Sequence, residues 1–360
     1  MADLFQRSIH VILANQAESG AYVACPNFPA YRYSWFRDGA FIAYAMDLAG
    51  QHDSAQRFHD WAARTVLRHA DKAERAMQRA THGEPLGGDY LHARYTTDGA
   101  EGLQDWPNFQ LDGFGTWLWA LGEHLRRTAG PLPSHWREAI HLTSSYLAAL
   151  WRFPCFDLWE EHPDRVHPYT LAAIYAGLQA ASRKGFSPEE VNTGWLTTAD
   201  EIRRFVLAQG VRDGHLVKHV GSAVVDASLI GVATPYRLLT PDDPIMRATA
   251  ARIEADLRPQ GGGVHRYAQD TYYGGGEWVL LAAWLGWYYV EIGETEKAEE
   301  LQRWVEAQAN VHGHLPEQVS AHLLASEHYA EWEARWGPVA NPLLWSHAMY
   351  LILYCAQGRD

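Results

Sequence analysis

Residues 278–290 read WVLLAAWLGWYYV, thirteen residues that are apolar on every side and carry no charge. A bilayer span takes about 20 residues, so this run is too short to cross a membrane. It reads as a helix enclosed by protein on all its faces. A few residues on, 294–311 (ETEKAEELQRWVEAQANV) is helical in another way, amphipathic with one charged face. The first is an inner stave and the second an outer one.

The same pairing recurs along the chain. Amphipathic stretches lie at roughly 4–17, 53–79, 134–151, 187–209, 241–257 and 294–311. Between them stand stretches apolar on nearly every side, at roughly 38–49, 111–125, 167–181, 223–233, 277–292 and 341–356. The inner stretches begin near 38, 111, 167, 223, 277 and 341, at spacings of 73, 56, 56, 54 and 64 residues. This is a rhythm of helix character, without sequence identity between units. Strand signals are scarce. Helices joined by short turns pack antiparallel, so the expected fold is all-α: an (α/α)6 barrel of six inner and six outer helices, forming one catalytic-sized domain over 1–360. A superhelical solenoid of the same helix pairs is the competing arrangement.

The connections carry the functional signal. Each outer-to-inner segment emerges at one end of such a barrel, and these segments concentrate aromatics, arginines and acids: CPNFPAYRYSWFRD, YLHARYTTDGAEGLQDWPNFQLD, FPCFDLWEEHPDRVHP, GHLVKHVGSAVVD, PQGGGVHRYAQDTYYGGGE and NVHGHLPEQVSAHLLASEHYAEWEARWGPVA. The inner-to-outer turns, such as LAGQHD and RTAGPLPS, are plain connectors. The active site is therefore expected at the end bearing the outer-to-inner loops. In a solenoid these loops would line one long edge.

Composition narrows the function. Of 360 residues, 47% are hydrophobic, and 43 acidic residues against 30 basic ones give a net charge of −13. No lysine and arginine block is dense enough for a phosphate-binding stripe, which argues against nucleic acid and anionic membranes as partners. Three separated cysteines (Cys25, Cys155, Cys355) with no C-x-x-C suit a reducing compartment and leave no thiolate zinc site. The first residues lack a basic segment followed by a long apolar stretch, so a cytoplasmic location is expected. Sixteen tryptophans are unusual. Trp35, Trp106, Trp159 and Trp278 stand in turn-rich segments beside Arg, Asp or Glu, where an indole face can stack on a sugar ring while acids take its hydroxyls.

Residues 156–161, FDLWEE, then stand out. Apolar surroundings and a neighbouring negative charge both disfavour an ionised carboxylate. Glu160, between Trp159 and Glu161, is placed to hold a proton near neutrality, as a general acid for a glycosidic oxygen requires. A second carboxylate has to come from across the cavity, and HLPEQ offers Glu317 from the sixth connection. Inverting glycosidases separate such a pair by about 6.5–9.5 Å, leaving room for a water. Taken singly, each of these residues has a plain reading: a solvated EE face, an Arg37–Asp38 ion pair at a helix start, a structural Arg266. Their presence on one rim is what favours a site.

Together these motifs resemble glycoside hydrolase family 15, the group containing glucoamylases and glucodextranases. The resemblance runs from YRYSWFRDGA (31–40) through DWPNFQLDGFG (105–115), FDLWEE and HRYAQDTYYGGGEW (265–278) to LPEQ (315–318) and LLWSHAMYL (343–351). The family fold is an (α/α)6 barrel. The resemblance implies Glu160 as general acid, Glu317 as general base, and Arg37 with Asp38 as the pair gripping the far hydroxyls of a terminal glucose. It further implies Arg266 as a glucose-binding arginine, Trp106 as an aromatic near the scissile bond, Trp159 and Glu161 as subsite residues, and Trp35 and Trp278 as wall residues. No cofactor and no metal are implied. With the first motif already at residue 31, no N-terminal β-sandwich and no starch-binding module are expected, and Phe109 replaces the proline of fungal members. The bare barrel is similar to the isomaltose-cleaving members, which implies short α-1,6-linked gluco-oligosaccharides as substrate; α-1,4 glucoamylase or trehalase activity would use the same site. His312 and His314 (HGH) read as a solvated or hydrogen-bonded pair, and the glycine runs 261–263 and 274–276 match no phosphate-loop pattern. A sugar epimerase on a similar barrel, or a carbohydrate-binding protein without activity, are the alternatives from other classes.

Overall fold

The computed structural model describes residues 4–128, 132–183, 186 and 189–358. In chain order its helices are α1 (Leu4–Ala14), α2 (Phe36–Leu48), α3 (His52–Arg68), α4 (Ala70–His82), α5 (Asp112–Thr128), α6 (Ser134–Leu150), α7 (Pro168–Ala181), α8 (Glu189–Gln209), α9 (Pro244–Leu257), α10 (Val279–Glu291), α11 (Thr295–Ala307), α12 (Tyr329–Trp336) and α13 (Leu344–Ala356). A 3-10 segment, Ala227–Val232, lies between α8 and α9.

The inner elements close into a ring. α2 packs on α5, α5 on α7, α7 on the 3-10 segment, that segment on α10, α10 on α13, and α13 back on α2. A solenoid would leave the first and last inner helices apart, so the α13–α2 contact decides for a barrel. Around the ring stand α1, the α3–α4 pair, α6, α8, α9 and α11. Burial follows the sequence character: α10 is buried from Val279 through Tyr289, while α11 buries Ala298, Leu301, Gln302 and Val305 and turns its charged residues outward. Among the described residues no helix is long and apolar enough to cross a membrane.

Two elements depart from the expected rhythm. The amphipathic stretch 53–79 is two helices, broken at His69, which leaves the helical region at φ −109° and ψ 21° and pairs its ring with the Gly99 carbonyl at 3.0 Å. The fourth inner stave is 3-10 and short. Pro235 supplies no N–H to extend a helical ladder and disfavours the α conformation at Thr234. Asp226 caps the segment by accepting from Ser228 N at 2.9 Å.

The barrel axis is filled. Phe41 of α2 packs against Trp284 of α10 at 5.1 Å, Trp345 of α13 at 5.4 Å and Trp119 of α5 at 5.9 Å between ring centroids. At the other end, short strands tie neighbouring connections together. β1 (Ser34–Trp35) pairs with β2 (Arg94–Tyr95), joining the first and second connections. β3 (Val211–Arg212) and β4 (His215–Leu216) form a hairpin in the fourth, and β5 (Glu277–Trp278) pairs with β6 (Gln318–Val319) to join the fifth and sixth. Trp35 and Trp278 each end such a strand directly before an inner helix, α2 and α10.

Candidate active site

A cavity of about 400 Å³ opens among these connections, with Trp345 of the aromatic plug in its wall. Trp35, Arg37, Asp38, Trp106, Trp159, Glu160, Glu161, Arg266, Trp278 and Glu317 all line it. Every residue given a catalytic or sugar-binding role from the sequence thus reaches one space, from the first, second, third, fifth and sixth connections and the first turn of α2.

The third connection holds Glu160 in an unusual conformation. Its φ is 68°, in the left-handed region that costs a non-glycine residue about 1–3 kcal/mol unless the surroundings impose it. Asp157 does the imposing: its Oδ1 accepts from Trp159 N and Glu161 N, both at 2.9 Å, and its carbonyl accepts from Glu160 N at 3.0 Å. The turn aims Glu160 at the cavity, where its Oε1 accepts from Trp35 Nε1 at 2.8 Å and Gln110 Nε2 at 3.0 Å. Gln110 is itself fixed, since it donates to Pro107 O and its Oε1 accepts from Arg37 Nη1 at 2.9 Å. Both N–H donors converge on Oε1.

Arg37 also donates to Asp112 Oδ2 at 2.9 Å, and its Nε lies 3.9 Å from Asp38 Oδ2. Burial works against the guanidinium charge, but Asp112 and Asp38 outweigh it and hold Arg37 above its usual range. Asp38 has less support: burial pushes its carboxyl up to about 7, against the pull of Arg37.

Glu317 comes from the sixth connection and is 2% exposed. Burial pushes its carboxyl up to about 8, although Arg266 and the hydroxyls of Tyr31 and Tyr272 pull it down. From the sequence Glu317 was expected as a carboxylate serving as base; enclosure in the cavity makes it a carboxyl with high proton affinity. Those two hydroxyls lie 2.9 Å apart. Arg266 is fastened by Asp270, with its Nε 2.7 Å from Oδ2, and reaches Glu161 Oε1 at 3.5 Å. It lies 5.2 Å from the ring centroids of Trp159, Tyr272 and Trp278. Glu161 Oε2 accepts from Tyr267 OH at 2.6 Å.

Behind this wall sits Lys218 of the fourth connection, 6% exposed. Its Nζ is 2.7 Å from Asp226 Oδ2, 3.1 Å from Asp157 Oδ2 and 4.0 Å from Glu161 Oε2. Asp226 in turn accepts from Trp159 Nε1. One buried ammonium thus ties the turn that carries Glu160 to the fourth connection. Asp157, Glu161 and His162 bring metal-ligating atoms within 4.8 Å of one another, but Lys218 already supplies positive charge to both carboxylates. A second such group, Asp47, His59 and His124, lies further along the barrel; there His124 Nδ1 pairs with both Asp47 oxygens at 3.0 Å. His312 and His314 belong to a turn, their backbone N–H groups donating to Asn310 Oδ1.

Gln110, Tyr31, Tyr272, Lys218 and Asp226 were not singled out from the sequence. Gln110, Tyr31 and Tyr272 fall inside the quoted motifs, which was the available signal; for Lys218 and Asp226 the signal was a charge inside an otherwise apolar connection.

Two carboxyl groups from different connections brought into one tryptophan-walled cavity, one of them of high proton affinity, put this barrel among the glycoside hydrolases. Comparison supplies the family: residues 1–354 match the profile of the glycosyl hydrolases family 15, and the chain belongs to that family. It is 44% identical over 354 residues to the isomaltose glucohydrolase of Kribbella flavida, covering 98% of this chain and 91% of that protein. A solved structure of a wild-type glycosidase superposes with a TM-score of 0.95 at 43% identity, over 99% of this chain and 96% of that one. A bacterial glucoamylase complexed with acarbose shares the fold, with a TM-score of 0.74 at 19% identity over 98% of this chain and 55% of that one.

Proposed function

We propose that the protein is an inverting, exo-acting α-glucoside hydrolase that releases β-glucose from the non-reducing end of short gluco-oligosaccharides, with α-1,6-linked isomaltose and isomalto-oligosaccharides as substrates. The observation that carries this reading is that Glu160 and Glu317, from the third and sixth connections, enter one cavity whose floor is closed by the aromatic plug. A closed floor admits only a chain end, which is what exo action requires.

In this reading Arg37 and Asp38 take the far hydroxyls of the terminal glucose, and the indoles of Trp35, Trp159 and Trp278 form its walls. Glu160 gives its proton to the glycosidic oxygen as the bond to the anomeric carbon breaks. Glu317 takes a proton from the water that attacks the opposite face of that carbon. Its high proton affinity makes it a strong acceptor once ionised, and Arg266, Tyr31 and Tyr272 support the anion. One proton enters the sugar from Glu160 and one leaves the water to Glu317; exchange with solvent resets the pair. The α-1,6 linkage rests on the similarity to the Kribbella flavida isomaltose glucohydrolase.

Parallel digests of isomaltose, maltose, trehalose and panose, with products identified, test the assignment. Isomaltose is expected to be cleaved faster than maltose or trehalose. A preference for maltose or trehalose would move the linkage to a glucoamylase or trehalase type. Glucosides bound but left intact would leave a binding protein, and conversion of a free sugar without hydrolysis would leave an epimerase. Glu160→Gln and Glu317→Ala are each expected to cut kcat by about 10²–10⁴-fold with the circular dichroism spectrum unchanged. Near-wild-type turnover in either variant removes the role assigned to that residue.

A further inference from the structure

Residues 318–343, between Glu317 and α13, form a connection far longer than the roughly 12–15 residues beyond which loops usually carry function. Within it α12 folds as an eight-residue helix with no buried residue, packed against the Tyr272–Gly274 turn. Of its two tryptophans Trp332 is half-buried and Trp336 exposed, and both line the cavity along with Arg335.

The position of α12 follows from the aromatic contacts leading away from each carboxyl. Trp35, which donates to Glu160, packs edge-on against Trp106 at 5.9 Å, and Trp106 packs edge-on against Trp336 at 6.5 Å. Tyr272, beside Glu317, packs edge-on against Trp332 at 5.0 Å. The helix therefore stands two aromatic rings outside the acid and one outside the base, joining the sixth connection to the second across the mouth. Trp336 remains 36% exposed. The Arg335 guanidinium lies 5.4 Å from the Trp332 ring and 5.3 Å from the Trp336 ring, and no carboxylate among the described residues lies within ion-pair distance of it. Its donors are free to meet hydroxyls.

We infer that α12 builds the subsite for the sugar on the leaving-group side of the scissile bond: Trp336 stacks on that sugar, Arg335 donates to its hydroxyls, and Trp332 braces the helix on Tyr272. The inference rests on the hydrolase reading and adds to it a set of residues that select the leaving group. A wall across the mouth also favours short substrates.

Two substrates separate this subsite from the glucose pocket: the α-linked glucose disaccharide that the wild type cleaves fastest, and α-glucosyl fluoride, whose leaving group is no sugar. Trp336→Ala is expected to lower kcat/KM for the disaccharide about tenfold, mainly through KM. Its kcat/KM for the fluoride and its inhibition constant for glucose should move at most twofold, and Trp336→Phe should recover most of the loss. Arg335→Ala, at an exposed side chain, gives the same pattern at smaller size should Trp336→Ala fail to fold. Equal losses on both substrates, or none on the disaccharide, overturn the subsite. A wild type that cleaves neither substrate overturns the hydrolase reading itself.

Discussion

Glu317 is the residue for which burial has the clearest measurable consequence. Burial pushes its carboxyl from an ordinary 4.5 up to about 8 in the folded protein. Below the ordinary value it is protonated in both the folded and unfolded states and costs nothing. As pH rises toward about 8 the unfolded chain releases its proton while the folded protein keeps it, so stability is lost through that window. At 1.36 kcal/mol per unit the effect is on the order of a few kcal/mol. Glu317→Gln mimics the protonated form. Its melting temperature should exceed the wild-type value by a few degrees at pH 8.5 and match it at pH 5; an equal gain at both values would show that the carboxyl is not held protonated by its surroundings. Asp38, pushed up to about 7, leaves a smaller slope in the variant. That the cavity would hold Glu160 and Glu317 was legible from the chain, because both stand in aromatic connections of a rhythm that predicts one mouth. The hydrogen-bond sequence Asp112–Arg37–Gln110–Glu160 was not. It depends on side chains that meet only after the first, second and third connections have folded together.

Among the elements, α5 and α7 cross closely. A Cβ on Gly115 would lie 2.4 Å from the Ala173 carbonyl oxygen, and one on Gly177 would lie 2.8 Å from the Gly115 oxygen. The colliding atoms are backbone and cannot turn aside, so the two glycines set the approach of these staves. Gly115→Ala gains about 1 kcal/mol of helix propensity but forces the helices apart, and overpacking of this kind costs about 1–3 kcal/mol. Because the clash is with main chain, destabilisation is expected to win, and urea melts should show a lower midpoint. A midpoint at or above wild type would mean that the crossing is looser than described. Helix character was legible for α2, α5, α7, α10 and α13, whose apolar surface is continuous. It failed at the fourth stave, where Pro235 stops the ladder, and within 53–79, where His69 breaks an amphipathic pattern that runs on unchanged across it. α12 was read only as part of the sixth connection: Tyr329, Trp332 and Trp336 recur at three- and four-residue steps, but over eight residues the pattern is too short to mark a helix.

At the scale of the whole molecule, the closed ring explains why residues far apart in sequence act together. Six antiparallel pairs bring every outer-to-inner connection to the same end, and the contact of α13 with α2 returns the sixth connection to the first. Glu160 and Glu317 thereby face one enclosed space, and the Phe41, Trp284 and Trp345 plug gives that space a floor. Opposed carboxyls with water between them deliver the nucleophile to the face of the sugar opposite the leaving group. Proton NMR of the glucose first released from an α-linked disaccharide, read before mutarotation, reports that geometry directly. The β-anomer should appear first; the α-anomer as the initial product would contradict the arrangement of acid, water and base on which the account rests.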